Sequence, residues 1–527
     1  MGMTPKLVGA DFELGNFILG VDDPLGTGPQ ASRALLREFQ GGGTSRLSEA
    51  WNWSPCGLAR SIATPQDWGR QYLPNGAVVY IDSDHIEFAT AITRSAFDQA
   101  ACVHAMLRLG QRALARANAR QPLGRSIQVL VNNSDGTGGN SSYGSHLNFL
   151  VSRAAWDDIF CRRLQVMLYL AAYQVSSIVW SGQGKVGSEN GRPPAAYQLA
   201  QRADFFETVC GPGTMSNRPL CNSRDESCCG CGAHAIADRA RVHVIFFDNT
   251  LCHVSTVLKL GATQILLAMI EAGAVHGGVV LDDPIDALIR WSRDPSLRAT
   301  AALDDGRRVT ALDVQWRFFE EASRFVEGGG CEDAVPRAGD LLALWERTLT
   351  GLGRDPDRLT GSVDWVLKRS FLRRAAERRP GLSAATLKHL DHLYSSLDPA
   401  EGLFWACERE ALIDRLLDEE RIEWFTANPP EDTRAWTRGR LLGHADAGAI
   451  VDVDWDRVVV AGADGRGWPV FRTLHLSDPL RWSRQETEPL FEAASSVGEI
   501  LDRFEDRHPE AISRFDAPAW CHTNWTH

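Results

Sequence analysis

Five short runs of β-forming residues, Lys6–Glu13, Ala77–Asp82, Ser126–Val131, Ser145–Val151 and Arg241–Asp248, punctuate the first half of the chain between Gly-, Asn- and Ser-rich turns. Several carry titratable groups at alternate positions, and successive side chains of a strand point to opposite faces. Asp11 and Glu13 therefore share one face, as do His146 and Asn148, with Leu147 and Phe149 on the other. Arg241 and His243 repeat the arrangement on a strongly apolar strand, and Asp82 ends a β-branched run, followed closely by Asp84, His85 and Glu87. A chain like this must fold so that these faces meet a polar ligand or water. Two like charges facing a core are unfavourable unless a cation lies between them, and oxygen ligands suit magnesium. Taken alone, Gly9–Glu13 reads better as two solvated acids on an exposed strand. A strand-end Asp82 that caps a turn, or a histidine satisfied inside a core, is also common. A loop from Asn132 to Gly144, rich in Gly and Ser, offers backbone N–H groups suited to phosphates.

Helical spacing of apolar residues appears over Thr93–Asn118 and Val254–Ala272, and dominates after residue 310 over Ala311–Val326, Gly339–Leu352, Asp364–Glu377 and Glu408–Leu417. Asn428–Pro429–Pro430 breaks that run, and β-type segments return at Ile450–Ala461 and near Pro469–Leu474. The pattern predicts an α+β fold: a catalytic domain over 1–427, a small C-terminal α/β domain over 428–515 and a tail over 516–527. A net charge of −12 argues against a nucleic-acid partner, whose phosphates demand clustered Lys and Arg. No signal-peptide pattern opens the sequence, and the most apolar stretch, Leu164–Val179, is interrupted by polar residues and reads as a buried helix. A cytoplasmic protein with no membrane partner is expected.

The 12 cysteines are too sparse for a disulfide scaffold. Cys228, Cys229 and Cys231, with Cys221 and His234 near them, offer thiol and imidazole ligands for zinc. Their spacing fits no standard knuckle, so a reduced, thiol-rich loop without tightly bound metal is expected.

Beyond these signals, Gly9–Ala–Asp–Phe–Glu13, Asn75–Gly–Ala–Val–Val–Tyr–Ile–Asp82, Ser142–Tyr–Gly–Ser–His146, Gln201–Arg–Ala–Asp204, Asn222–Ser–Arg–Asp–Glu226, Val242–His–Val–Ile245, Ser255–Thr–Val–Leu–Lys–Leu–Gly261 and Pro429–Pro–Glu–Asp–Thr–Arg–Ala435 occur in one order along the chain. That series resembles the Pup ligase/depupylase family, part of the glutamine-synthetase-like carboxylate–amine ligases. The resemblance implies a curved antiparallel sheet that holds ATP and Mg2+, with Asp82 as the catalytic aspartate. Asp11, Glu13, Glu87, His146 and His243 match the metal and phosphate cluster. Arg224, Arg241 and Arg434 match arginines suited to phosphates, and Ser255 joins them as a cofactor-binding residue. The implied reaction is ATP-dependent formation of an isopeptide bond through an acyl phosphate. Its substrates would be Pup, a Pup-like peptide, or a small-molecule carboxylate and amine.

Several family acids are replaced. The first pair reads Asp11-x-Glu13, Leu147 stands where an acid follows the histidine, and Ile92 and His253 occupy glutamate positions. The stretch before the Asn–Gly strand, Ser45–Arg70, looks short, as in the ligase, whereas Arg293–Arg298 and Asp432–Arg434 look more like the depupylase. The balance leans to the ligase. An amide hydrolase using the same ATP site, and a catalytically silent binder of Pup-like tails, remain the alternatives.

Overall fold

A computed structural model of the chain describes residues 3–39, 43–44, 70–226, 229, 234–275, 278–463 and 469–516. Cys228 and Cys231, most of the Ser45–Arg70 stretch and nearly all of the 516–527 tail lie outside these residues.

The strands in chain order are β1 (Val8–Leu19), β2 (Gly43–Thr44), β3 (Gln71–Tyr72), β4 (Val78–Asp82), β5 (His85–Ala89), β6 (Ser126–Leu130), β7 (Ser145–Ser152), β8 (Lys185–Val186), β9 (Tyr197–Gln198), β10 (Phe206–Gly211), β11 (Arg218–Asn222) and β12 (Arg239–Val244). Ten of them form one sheet ordered β10-β11-β12-β7-β1-β5-β4-β3-β2, with β6 paired to the far half of β1. Neighbours run antiparallel except β10 and β11, which are parallel, so the sheet is mixed rather than antiparallel throughout. β1 is longer than its apolar pattern foretold because, past Leu14, it has left β5 and β7 and pairs with β6 through Gly15 to Leu19.

Apolar faces of these strands pack on long helices. Ala96–Asn118 and His253–Glu271 lie against each other, and His253–Glu271 also meets Leu164–Ser181. His253–Glu271 is long and apolar enough to cross a membrane, yet it is wholly buried inside the protein. The helices expected after residue 310 form over Ala311–Glu327, Ala338–Arg354 and Asp364–Arg378. The expected helix over Glu408–Leu417 does not. The helix there is Leu403–Arg409; Ala411 turns left-handed (φ 55°) and the Leu412 N–H returns 2.9 Å to the Cys407 carbonyl, closing the end as a Schellman-type cap.

A hairpin and a second sheet follow. β13 (Thr300–Ala302) pairs with β14 (Arg308–Thr310), and near the C-terminus β15 (Ile450–Asp454), β16 (Arg457–Ala463), β17 (Pro469–His475) and β18 (Ile512–Asp516) form a four-stranded antiparallel sheet. A turn at Trp455 thus divides Ile450–Ala461 into two strands. Val458, Leu474, Ile500 and Phe504 build a core there that takes in Tyr72, Val78 and Ala89 from the edge of the large sheet. Ile422 and Phe425 still belong to the main core.

Candidate active site

The strand register places the titratable groups. Across β1 and β5 Glu13 stands opposite Glu87, across β4 and β5 Tyr80 stands opposite Glu87, and Asp82 stands opposite His85. On the other side of β1, Asp11 pairs with His146 of β7, and β7 in turn sets Asn148 beside His243 of β12. All face one cavity of about 1180 Å³, which Arg202, Arg218, Arg224, Arg241 and Arg434 also line.

Two groups of side chains converge in it. Ligand atoms of Asp11, His146 and His243 lie within 4.8 Å of one another, and so do those of Glu13, Asp82 and Glu87. Asp82 is exposed, and it adds its carboxylate to the Glu13 and Glu87 pair rather than standing apart.

The hydrogen bonds orient these groups. His146 Nδ1 lies 3.1 Å from Asp11 Oδ2, so this ring nitrogen donates to the carboxylate, the orienting contact that metal-binding histidines use. Asn148 donates to the other Asp11 oxygen and accepts 3.0 Å from Arg241. Asn222 Nδ2 donates to the Gly213 carbonyl, so its oxygen accepts from His243 Nδ1 at 3.2 Å and from the Arg224 N–H at 3.1 Å. That fixes the neutral tautomer of His243 with Nε2 open. The Gly-rich loop reaches the site as well: the Gly144 N–H donates 2.8 Å to Glu13 Oε2.

Burial, reinforced by the charges of Asp11 and Glu13, pushes the Glu87 carboxyl well above the usual carboxylate range, although Tyr80 donates a hydrogen bond to it. Burial pushes Asp11 up too, but the hydrogen bond and charge of His146, helped by His243 and Arg241, outweigh it and hold Asp11 low. His243 is brought down to about 3 by burial and by the neighbouring His146 and Arg241, so at neutral pH it is an uncharged ligand. Three carboxylates crowded to the point that one resists ionising, beside two imidazoles, are a donor set that fits divalent cations. The oxygen-only group suits magnesium.

The three arginines expected to suit phosphates, Arg224, Arg241 and Arg434, all line the cavity. Arg241 and Arg224 line the cavity, each held by Glu226 at 3.5 Å and 2.8 Å. Arg434 also stands in the cavity wall, donating 2.9 Å and 3.0 Å to the carbonyls of Leu476 and Ser477. Ser255 does not reach the site: it is fully buried in its helix, and its hydroxyl donates 2.7 Å to the Trp180 carbonyl. The cofactor role expected for it is corrected to a helix-packing one. Two arginines that sequence reasoning missed are better placed. Arg202 donates 2.7 Å to the Tyr143 carbonyl and Arg218 2.9 Å to the Thr214 carbonyl, both facing the cavity. Burial and the Arg218 charge lower the Arg202 guanidinium to about 10, against the raising effect of Asp248 and Glu13. Their signal was an arginine within Gln201–Arg–Ala–Asp204 and one that opens the segment Arg218–Cys221.

Three further expectations are resolved by position. His253 packs against His104 in the core with ring centroids 4.5 Å apart, and Leu147 lies on the apolar face of β7. Cys221 points its thiol into the core toward Gln174, away from the cavity, so it does not join Cys229. His234 stacks on His475 at 3.6 Å.

A model of the family described as Pup-ligase protein matches residues 30–459. The chain is 34% identical over 454 residues to a depupylase of Acidothermus cellulolyticus, covering 84% of this chain and 86% of that one. It is 33% identical over 435 residues to Pup–protein ligase 2 of Rhodococcus erythropolis, covering 80% and 92%. The ligase PafA in complex with the prokaryotic ubiquitin-like protein Pup superposes with a TM-score of 0.74 at 26% identity, over 96% of this chain and 95% of that one. PafA in complex with ADP gives 0.68 at 27% identity, over 85% and 91%. With a family model over most of its length and relatives above 30% identity over four fifths of it, this chain belongs to the Pup-ligase protein family.

Proposed function

We propose that this protein is an ATP- and magnesium-dependent carboxylate–amine ligase that joins a glutamate side chain of Pup or a Pup-like peptide to an amine. The observation that carries the reading is the Glu13, Asp82 and Glu87 carboxylate group next to Asp11, His146 and His243, in one cavity with Arg202 and Arg218. Magnesium held there would offset the charge of the transferring phosphoryl group and draw its oxygens into line. The chain's own residues do the rest. Arg202 and Arg218 present guanidinium groups to phosphate oxygens, and the Gly144 N–H holds Glu13 in place. Asp82, exposed at the end of β4, takes a proton from the attacking amine. Residues 1–427 supply this site in the reading, and 428–515 add the wall that carries Arg434.

The depupylase relatives, as similar as the ligases, support a second reading in which the same carboxylates direct water onto an isopeptide bond. One experiment separates them. ATP affinity is measured by calorimetry with and without magnesium for the wild type and Glu13→Ala. ADP release is then followed with a Pup-derived peptide ending in glutamate and a lysine-containing acceptor. The ligase reading expects magnesium-dependent binding weakened at least about tenfold in Glu13→Ala, and one ADP per amide formed. Undiminished magnesium-dependent affinity in Glu13→Ala removes the metal assignment. The same peptides joined beforehand through a glutamate–lysine isopeptide bond are supplied in a parallel assay: their cleavage without ADP release selects the hydrolase, and nucleotide binding with neither reaction selects the silent binder.

A further inference from the structure

The floor of the cavity changes character along its strands. On β1 the cavity-facing positions run Glu13, Asp11, Gly9 and then Leu7 just before the strand, and on β7 they run His146, Asn148, Leu150. Leu7, Leu150 and Cys229 form one apolar cluster with Ile92, Ile236 and Leu480 packed on it, so the main sheet, the cysteine-bearing insertion and the C-terminal part all contribute. Ile92 is half-buried and lies over Gly9, where an added Cβ would stand 3.2 Å from its Cγ2. The phosphate-suited Arg202 stands at the opposite end, tied to the Tyr143 carbonyl beside the Glu13 loop.

We propose that the substrate on this cradle carries an apolar group, seated on Ile92 and Leu150 roughly 7–13 Å from the carboxylate–histidine cluster, given a rise of ~3.3 Å per residue. This deepens the ligase reading and rests on it, because the group belongs to the molecule whose carboxylate reacts. The occupant follows from charge. A carboxylate over Ile92 and Leu150 would lose water against arginines already engaged, Arg241 by Asn148 at 3.0 Å and Glu226 at 3.5 Å and Arg434 by the Leu476 and Ser477 carbonyls at 2.9 Å and 3.0 Å, and an ammonium would meet Glu226 already paired with Arg224 at 2.8 Å. An alkyl or aryl group gains the contact instead. Ile92 is thus the specificity-determining residue: it is open enough to touch a ligand and close enough to Asp11 to align one.

The test uses two matched probes, N-acetyl-leucyl-glutamate and N-acetyl-aspartyl-glutamate, titrated by calorimetry into the full-length protein with ADP and magnesium present. The wild type is expected to bind the leucyl probe about tenfold or more tightly than the aspartyl one. Ile92→Glu is expected to abolish or invert that preference, and Ile92→Leu to keep it. ADP affinity and thermal midpoint, read on the same samples, confirm that each variant is folded. Equal affinities in the wild type, an aspartyl preference, no measurable binding of either probe, or a leucyl preference that survives Ile92→Glu each overturn the proposal. Failure of magnesium-dependent ATP binding, measured separately, counts against the ligase reading and leaves the probe preference as its own result.

Discussion

Glu87 and Asp82 occupy the same carboxylate group but differ in surroundings. Glu87 is nearly sealed, 3% exposed, and its neighbours Asp11 and Glu13 disfavour its charge, so a bound cation would let all the acids ionise together. Asp82 ends β4 in the open, touched by the Ser83 hydroxyl at 3.4 Å, and is free to meet an incoming amine. Asp82→Asn keeps the shape and removes the proposed base. Turnover is expected to fall by about 10²–10⁴-fold, with ATP affinity within a few-fold of the wild type. Rates of ADP release and calorimetric affinity check this together. Wild-type turnover would reduce Asp82 to a strand-end cap. A parallel collapse of ATP affinity would make it a metal ligand first.

Elements are placed by close approaches as much as by apolar pattern. The helix Leu164–Ser181 ends at Gly182, whose φ of −74° is open to any residue, so conformational freedom is not why glycine stands there. Room is. A Cβ at Gly182 would fall 2.2 Å from the Leu199 carbonyl oxygen, a backbone atom that already accepts the Gly184 N–H at 2.7 Å. The segment after β9 therefore lies directly on the helix end, and it continues into Arg202. Gly182→Ala is expected to destabilise the protein by about 1–3 kcal/mol, read from the urea midpoint, because the carbonyl cannot swing aside as a side-chain tip would. An unchanged midpoint would show that the segment is free to move. The ending of Leu403–Arg409 makes a related point. Apolar spacing ran on through Leu417, but Ala411 at φ 55° stopped the helix. Periodicity reports which side chains are buried, and a left-handed residue other than glycine leaves no mark in it.

At the scale of the whole molecule, the C-terminal sheet and the large sheet share a core through Tyr72, Val78 and Ala89, and Arg438 fastens them. It is 1% exposed, donates 2.6 Å to the Gly76 carbonyl ahead of β4 and 2.9 Å to the Trp455 carbonyl between β15 and β16, and lies 4.8 Å over the Trp455 ring. Arg438→Met would leave both carbonyls without this donor, a loss of about 2–4 kcal/mol in denaturant unfolding, and would slacken the strand that carries Asp82. A wild-type midpoint would show that apolar packing alone joins the two parts. The sequence by itself determined which side chains share a strand face: Asp11 with Glu13, His146 with Asn148 and Arg241 with His243 follow from a period of two, a local property of the backbone. It also determined the α+β class, through the ordered motifs and the change to helical spacing after residue 310. Only the tertiary structure decided which faces meet. Register set Glu87 against Glu13 and brought Asp82 to them; chain closure carried Arg202 and Arg218 into the cavity; helix packing took Ser255, His253 and Cys221 out of it. Those outcomes depend on contacts between residues tens to hundreds of positions apart, and no local period encodes such contacts.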